Sequence, residues 1–220
     1  MKIILWGATG MVGQGVLREC LLDPGVESVL VVTRSASDQQ DPKLQEIIQQ
    51  DFFDFSGIAD RLTGYDACFF CVGVSAAGKS EQEYRRLNYD ITIAAAQTLV
   101  ERNPGMTFIY VSGTGTDSSE RGRMMWARVK GKTENDLLRM PFKAAYMFRP
   151  GYIQPMHGIR SKTGWYRGFY AVIAPLYPLL RAFFPKHVMT TEQLGCAMIA
   201  VARRGAPKKV LESADIISLP

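Results

Sequence analysis

The stretch that most limits what this chain can fold into is its start, MKIILWGATGMVGQGVLRECLL. An apolar run, Lys2–Trp6, breaks at Gly7-Ala8-Thr9-Gly10-Met11-Val12-Gly13, and Val12–Leu22 then carries apolar residues at helical spacing until Asp23-Pro24-Gly25 stops it. A strand that passes through a glycine turn directly into a helix is the opening of a β-α-β unit. Glycines let the backbone turn sharply and approach a ligand, and the first N–H groups of the helix favour an anion such as a pyrophosphate there.

The pattern repeats along the chain. Short apolar runs bounded by turn or polar residues predict strands at Val29–Thr33, Gln45–Gln50, Ala67–Val72, Thr107–Ser112 and Ala144–Arg149, with helices clearest at Glu81–Arg102 and Arg128–Met140. This alternation predicts an α/β protein: a doubly wound parallel Rossmann sheet with helices on both faces and a small C-terminal helical cap. No internal repeat interrupts it, so residues 1–220 read as one domain. After Arg149 the chain turns rich in Gly, Pro, aromatic and basic residues. Helices expected at Tyr166–Phe184 and Thr191–Arg203 and a terminal stretch at Lys209–Ile217 read as a cap over the sheet's carboxyl edge, with 151–190 as its substrate-side segment.

Composition excludes several classes. The longest apolar candidate, FYAVIAPLYPLL at 169–180, is too short for a membrane span and holds two prolines. The N-terminus runs straight into the glycine turn and does not resemble a secretory signal; with Cys20, Cys68, Cys71 and Cys196 read as free thiols, the expectation is a reducing, cytoplasmic setting. Cys68 and Cys71 are three apart on a strand and point to opposite faces, which disfavours a shared metal or a disulfide, and His157 and His187 make no metal cluster. Residues 1–120 hold 9 Lys and Arg against 16 Asp and Glu, whereas residues 121–220 hold 17 against 5. A basic half suits an anionic partner, but no DNA-reading motif accompanies it, so nucleic acid is not expected. The stretch Arg160–Lys186, with Trp165, Tyr166, Phe169 and Tyr170 among its cations, reads as a cap helix packing inward, with peripheral contact to an anionic membrane as the alternative.

The glycines are spaced G-x-x-G-x-x-G, and GATGMVG resembles the extended and atypical short-chain dehydrogenase/reductase superfamily, which includes NAD-dependent epimerases and dehydratases. Asp51-Phe52, Cys71-Val72-Gly73, Val111-Ser112-Gly113, Lys130 and Arg149-Pro150-Gly151 follow successive strands as that family's motifs do, over roughly two thirds of the chain. Small atypical members such as the Tat-interacting-protein branch are the most similar. The resemblance implies a nicotinamide cofactor held by Gly7, Thr9, Gly10, Met11, Val12, Asp51, Phe52, Val72, Gly73 and Lys130, with Asp51 toward the adenine amino group. It also implies a homodimer. Strand two ends Val31-Val32-Thr33-Arg34-Ser35, where an NAD site usually has a carboxylate for the ribose 2′-hydroxyl; a guanidinium there suits a 2′-phosphate and favours NADP.

The family's chemistry uses a Ser or Thr after strand five and Tyr-x-x-x-Lys on the next helix. Tyrosine moves the proton, while lysine binds the nicotinamide ribose and lowers the tyrosine pKa. Here Trp126-Ala127-Arg128-Val129-Lys130 keeps the lysine and replaces the phenol by an indole, which donates a hydrogen bond but does not titrate usefully. Lys130 and Ser112 are the candidate catalytic residues. Thr114, Thr116, Ser118, Ser119 and Tyr152 are alternative hydroxyls. Two functions follow: an NADP-dependent oxidoreductase or epimerase-like enzyme on a small carbonyl or hydroxyl substrate, its pocket bounded by Gly151–Trp165, or a non-catalytic NADP sensor.

Overall fold

The structure, a computed structural model, describes residues 1–37, 39–159 and 177–219. Its strands are β1 (Lys2–Trp6), β2 (Ser28–Thr33), β3 (Leu44–Ile48), β4 (Ala67–Phe70), β5 (Thr107–Val111), β6 (Ala144–Arg149), β7 (Tyr152–Gln154), β8 (Val188–Thr190) and β9 (Val210–Glu212). Seven of them form one parallel sheet in the order β3-β2-β1-β4-β5-β6-β9, and β7 pairs with β8 separately. The strand order reverses between β1 and β4, so a crevice opens at their carboxyl ends, where open α/β sheets bind ligands.

The described helices are α1 (Met11–Leu22), α2 (Glu81–Arg85), α3 (Ile91–Arg102), α4 (Met125–Arg139), α5 (Tyr177–Phe183), α6 (Thr191–Arg204) and α7 (Ser213–Ile217). A π-helical turn, Arg86–Asp90, joins α2 to α3, and Ser80 and Glu83 form a reciprocal capping box at the start of α2. Two cores result because successive strand residues face opposite ways. Ile3, Leu5, Val29, Val31 and Phe69 pack on Val16 and Leu17 of α1 and Leu194 and Met198 of α6. Ile4, Trp6, Phe70, Phe108 and Tyr110 pack on Ala95 and Leu99 of α3 and Leu137 of α4. Burial on both faces is why these strands read as continuous apolar runs. Among the described residues no helix is long and apolar enough to cross a membrane.

The C-terminal part departs from the sequence expectation. The helix expected at Thr191–Arg203 does not cover the carboxyl edge but lies along α1. A Cβ on Gly15 would sit 2.5 Å from the Thr191 Cβ, and one on Gly195 would sit 2.7 Å from the Glu19 Cγ, so two glycines let the helices touch. Arg203 of α6 pairs with Asp23 at the end of α1, and Lys43 Nζ donates to the Leu21 and Asp23 carbonyls there at 2.9 and 2.8 Å. Lys209–Ile217 divides into β9, which extends the sheet beside β6, and α7. Of the helix expected at Tyr166–Phe184, only residues 177–184 are described, and Tyr177–Phe183 of these are helical. Arg160, Lys162, Trp165, Tyr166, Arg167, Phe169 and Tyr170 lie outside them. The helix clearest in sequence at Arg128–Met140 runs over Met125–Arg139, with Trp126 in its first turn, one turn before Lys130.

The α1–α6 contact has no room for a branched side chain. Gly195→Val is expected to cost about 1–3 kcal/mol by overpacking and to lower the thermal midpoint by several degrees, read by circular dichroism. An unchanged midpoint would mean the helices pack less closely.

Candidate functional site

The turn after β1 is built from backbone. Gly7 has φ +82, in the left-handed region, and a Cβ on it would sit 2.7 Å from the Cys71 carbonyl carbon and 2.8 Å from the Val72 nitrogen. A Cβ on Gly13 would lie 2.1 Å from the Gly7 oxygen, so the first turn of α1 is pressed onto the glycine turn. The Gly10 N–H donates to the Gly7 carbonyl at 3.0 Å, and the Gln14 side chain holds the Thr9 carbonyl at 3.1 Å. Gly10 is the exposed N-cap of α1, no side chain caps the helix, and no acidic residue lies in its first turn. The Met11, Val12 and Gly13 amides therefore stand at the positive end of the helix dipole with no partner inside the helix.

A wall of side chains runs from this turn to the ends of β2 and β3. Phe52, buried after β3, meets Trp6 edge-on at 5.7 Å, and the exposed Arg34 guanidinium lies 5.8 Å from the Phe52 ring centre. Gln50 Nε2 donates to the Arg34 carbonyl at 2.8 Å. Asp51 is exposed and its Oδ1 accepts the Phe53 N–H at 2.8 Å. On the other side, Val72 and Gly73 lead out of β4, and the Asn88 Oδ1 accepts the next amide, Val74 N–H, at 3.1 Å. Asn88 is buried in the π-helical turn and its amide donates to the Tyr84 carbonyl at 2.9 Å. This anchor is missing from the sequence expectations, although a polar residue on an apolar helix face is a readable signal.

The second half of the site lies where β5 ends against α4. Lys130, half-buried, donates to the Ser112 carbonyl, with its Nζ 5.8 Å from the Tyr110 ring centre. Burial pushes the Lys130 ammonium down to about 8, and the Glu134 carboxylate opposes that shift. Ser112, expected to face a substrate, is instead buried: its hydroxyl donates to Glu134 Oε1 at 2.5 Å, with the Phe148 carbonyl 3.1 Å away. The loop hydroxyls are also engaged. Thr116 donates to the Gly113 carbonyl at 2.8 Å, Ser118 accepts from Arg149 at 2.5 Å, and Ser119 donates to Asp117 at 2.6 Å. That hydroxyl and the neighbouring loop amides hold the Asp117 carboxyl below its usual range. Thr114 is exposed at the strand's carboxyl end, as Ser118 and Ser119 are further along the loop, and its hydroxyl donates to the Arg149 carbonyl at 3.1 Å. Trp126 is half-buried, and its Cη2 would lie 3.2 Å from a Cβ on Gly115. The Tyr152 hydroxyl donates to Gln154 at 2.8 Å, and burial raises its pKa. Of the expected Gly151–Trp165 pocket wall, residues 160–165 lie outside the described residues.

A cradle of backbone amides at the sheet's switch point, a lysine one strand over and the glycine spacing together point to a nucleotide-binding protein. The family described as NAD(P)H-binding matches residues 7–140. The chain belongs to that family. Its fold is shared with solved short-chain dehydrogenase/reductase structures. It is similar to an oxidoreductase of the short-chain dehydrogenase/reductase family from Burkholderia thailandensis, with 16% identity, TM-score 0.70, and 96% of this chain and 89% of that one covered. The UDP-N-acetylglucosamine 4-epimerase from Bacillus cereus is similar at 15% identity and TM-score 0.69, covering 96% and 78%. In sequence, the protein fmp52-2, mitochondrial, of Aspergillus oryzae is 26% identical over 98% of this chain and 95% of its own. Fungal relatives bearing that mitochondrial name overturn the cytoplasmic expectation, which had rested on free thiols and an N-terminus unlike a secretory signal. Neither feature separates one reducing compartment from another.

Asn88→Ala would leave the Val74 amide without its partner. A loss of about 1–3 kcal/mol is expected, measured by urea unfolding; undiminished stability would show that water replaces the side chain.

Proposed function

We propose that the chain is an NADP-dependent oxidoreductase acting on a small carbonyl or hydroxyl substrate. The observation that carries this reading is the Lys130 ammonium, half-buried and fixed on the Ser112 carbonyl at the sheet's carboxyl edge. The residues fit the cofactor: Gly7 and Gly13 lie too close to neighbouring backbone for any Cβ, so the turn is packed as bare backbone, and the α1 N-terminus carries no acidic side chain to repel phosphate. Gly7, Thr9, Gly10, Met11 and Val12 would hold the pyrophosphate, Arg34 the 2′-phosphate, and Asp51, Phe52, Val72 and Gly73 the adenosine side. Lys130 would hold the nicotinamide ribose. When bound, the cofactor supplies or accepts a hydride.

Two side chains supply what the chemistry further needs. Thr114, exposed beyond the end of β5, would polarise a substrate oxygen by turning its hydroxyl from the Arg149 carbonyl, a backbone acceptor, whereas the buried Ser112 hydroxyl is held by the Glu134 carboxylate. Lys130, with its pKa near 8, can give up a proton close to neutral pH where Trp126 cannot. The described parts of the segment 151–190, residues 151–159 and 177–190, would lie on the substrate side in this reading. One observation favours a second reading, a cofactor-binding sensor without turnover: the Trp126 indole packs against Gly115, beside the loop that would face the substrate.

Fluorescence titration with NADPH and NADH separates the possibilities. Lys130→Ala is expected to weaken NADPH binding at least about tenfold, the scale of one hydrogen bond to a charged group. Unchanged affinity would remove Lys130 from the site. In the wild type, Lys130 donates as an ammonium below about pH 8, so affinity should be full there and fall as the pH rises through about 8. Arg34→Asp should shift preference from NADPH toward NADH, and an unaltered ratio would show that Arg34 does not read the phosphate. Turnover of a carbonyl panel supports the enzyme; tight binding without turnover in either the wild type or Trp126→Tyr supports the sensor.

A further inference from the structure

We propose that Glu134 is the positioning residue of this site: by binding Ser112 and Arg149 at once it locks α4 to the ends of β5 and β6 and so fixes where Lys130 stands. The proposal rests on the reading of Lys130 as the cofactor's anchor.

Glu134 lies one turn beyond Lys130 on α4 and is entirely buried. One carboxylate oxygen accepts the Ser112 hydroxyl at 2.5 Å. Arg149, the last residue of β6, donates to it from Nε at 3.0 and 3.2 Å and again from Nη2. The same guanidinium reaches Glu212 of β9 at 3.0 Å and Ser118 of the loop after β5 at 2.5 Å. A buried charge persists only when it is paired and hydrogen-bonded, and this one meets both conditions with groups from separate elements. The loop is pinned to the same helix at Gly131, where a Cβ would lie 1.8 Å from the Asp117 carbonyl oxygen. Ser112 is therefore held twice, by its hydroxyl to Glu134 and by its carbonyl to Lys130, and both contacts come from one face of α4.

Glu134 also acts on Lys130 electrically. The groups facing that ammonium are the Tyr110 ring from β5, Glu134 from its own helix with Arg149 of β6 behind it, and Tyr84 of α2 beyond Tyr110. Burial lifts the Tyr110 phenol far above its usual range, so it carries no charge near neutral pH. The Glu134 carboxylate is the charge that favours the ammonium against burial.

The experiment measures NADPH affinity from about pH 6.5 to about pH 9.5 for the wild type, Glu134→Gln, Glu134→Asp and Ser112→Ala, with the thermal midpoint of each. Glu134→Gln should move the pH midpoint of binding downward by roughly half to one unit, and Glu134→Asp should restore part of it. Ser112→Ala keeps the Glu134–Arg149 pair and should weaken affinity roughly three- to tenfold while leaving the midpoint in place. A Glu134→Gln profile that overlies the wild type, with only the thermal midpoint lowered, would make Glu134 purely structural and overturn the proposal. If Glu134→Gln does not fold, undiminished affinity in Ser112→Ala overturns it alone. A wild type that binds no NADPH, or binds it equally across the range, defeats the reading of Lys130 itself and with it the proposal.

Discussion

The backbone contact between Gly7 and Cys71-Val72 is the constraint from which the site follows. β1 and β4 run in parallel register, Leu5 beside Phe69 and Trp6 beside Phe70, so the two chains leave the sheet side by side at the point where the strand order reverses. Gly7 turns away there with φ +82 and no room for a side chain, and Gly13 brings α1 down onto it. With side chains excluded, what remains at the surface is backbone amide. The amides that would favour an anion at this place are thus left by packing, with no charged residue needed in the turn.

The same logic explains which parts of the molecule the sequence made readable. Strands buried on both faces announce themselves as apolar runs, and a glycine turn between a strand and a helix is a local signal; both were visible. The three-residue strands β7, β8 and β9 are too short to show an alternation. The start of α6 was read at Thr191, where the structure has a capping box of Thr190 with Gln193, but its resting place against α1 depends on Gly15 and Gly195, 180 residues apart in sequence. Ser112 shows the limit most sharply. A serine at a strand end looks the same whether it faces solvent or a carboxylate 22 positions away, and only the fold puts Glu134 beside it.

The charge asymmetry between the halves also takes a different meaning in the folded chain. Part of the C-terminal excess is met by acids of the first half: Arg128 pairs with Glu81 at 2.6 Å and Arg203 with Asp23. Exposed pairs of this kind contribute at most about 1 kcal/mol each, so they do not hold the fold together. They do reduce the basic surface left for a polyanion. The asymmetry is in part a division of one set of ion pairs between two stretches of chain.

Lysine without tyrosine at the start of α4 is consistent with such a network. In the usual arrangement the ammonium serves two ends, holding the ribose and lowering a phenol pKa, and only the second needs a tyrosine. In the role proposed for Lys130, binding would need the ammonium in one place and in its charged form. Here the place is set by the Ser112 carbonyl and the charge is favoured by Glu134, and neither touches Trp126. The tyrosine position can change to an indole that packs on Gly115 without disturbing any of these bonds. The place and the charge of the lysine are therefore set independently of the side chain that stands at position 126.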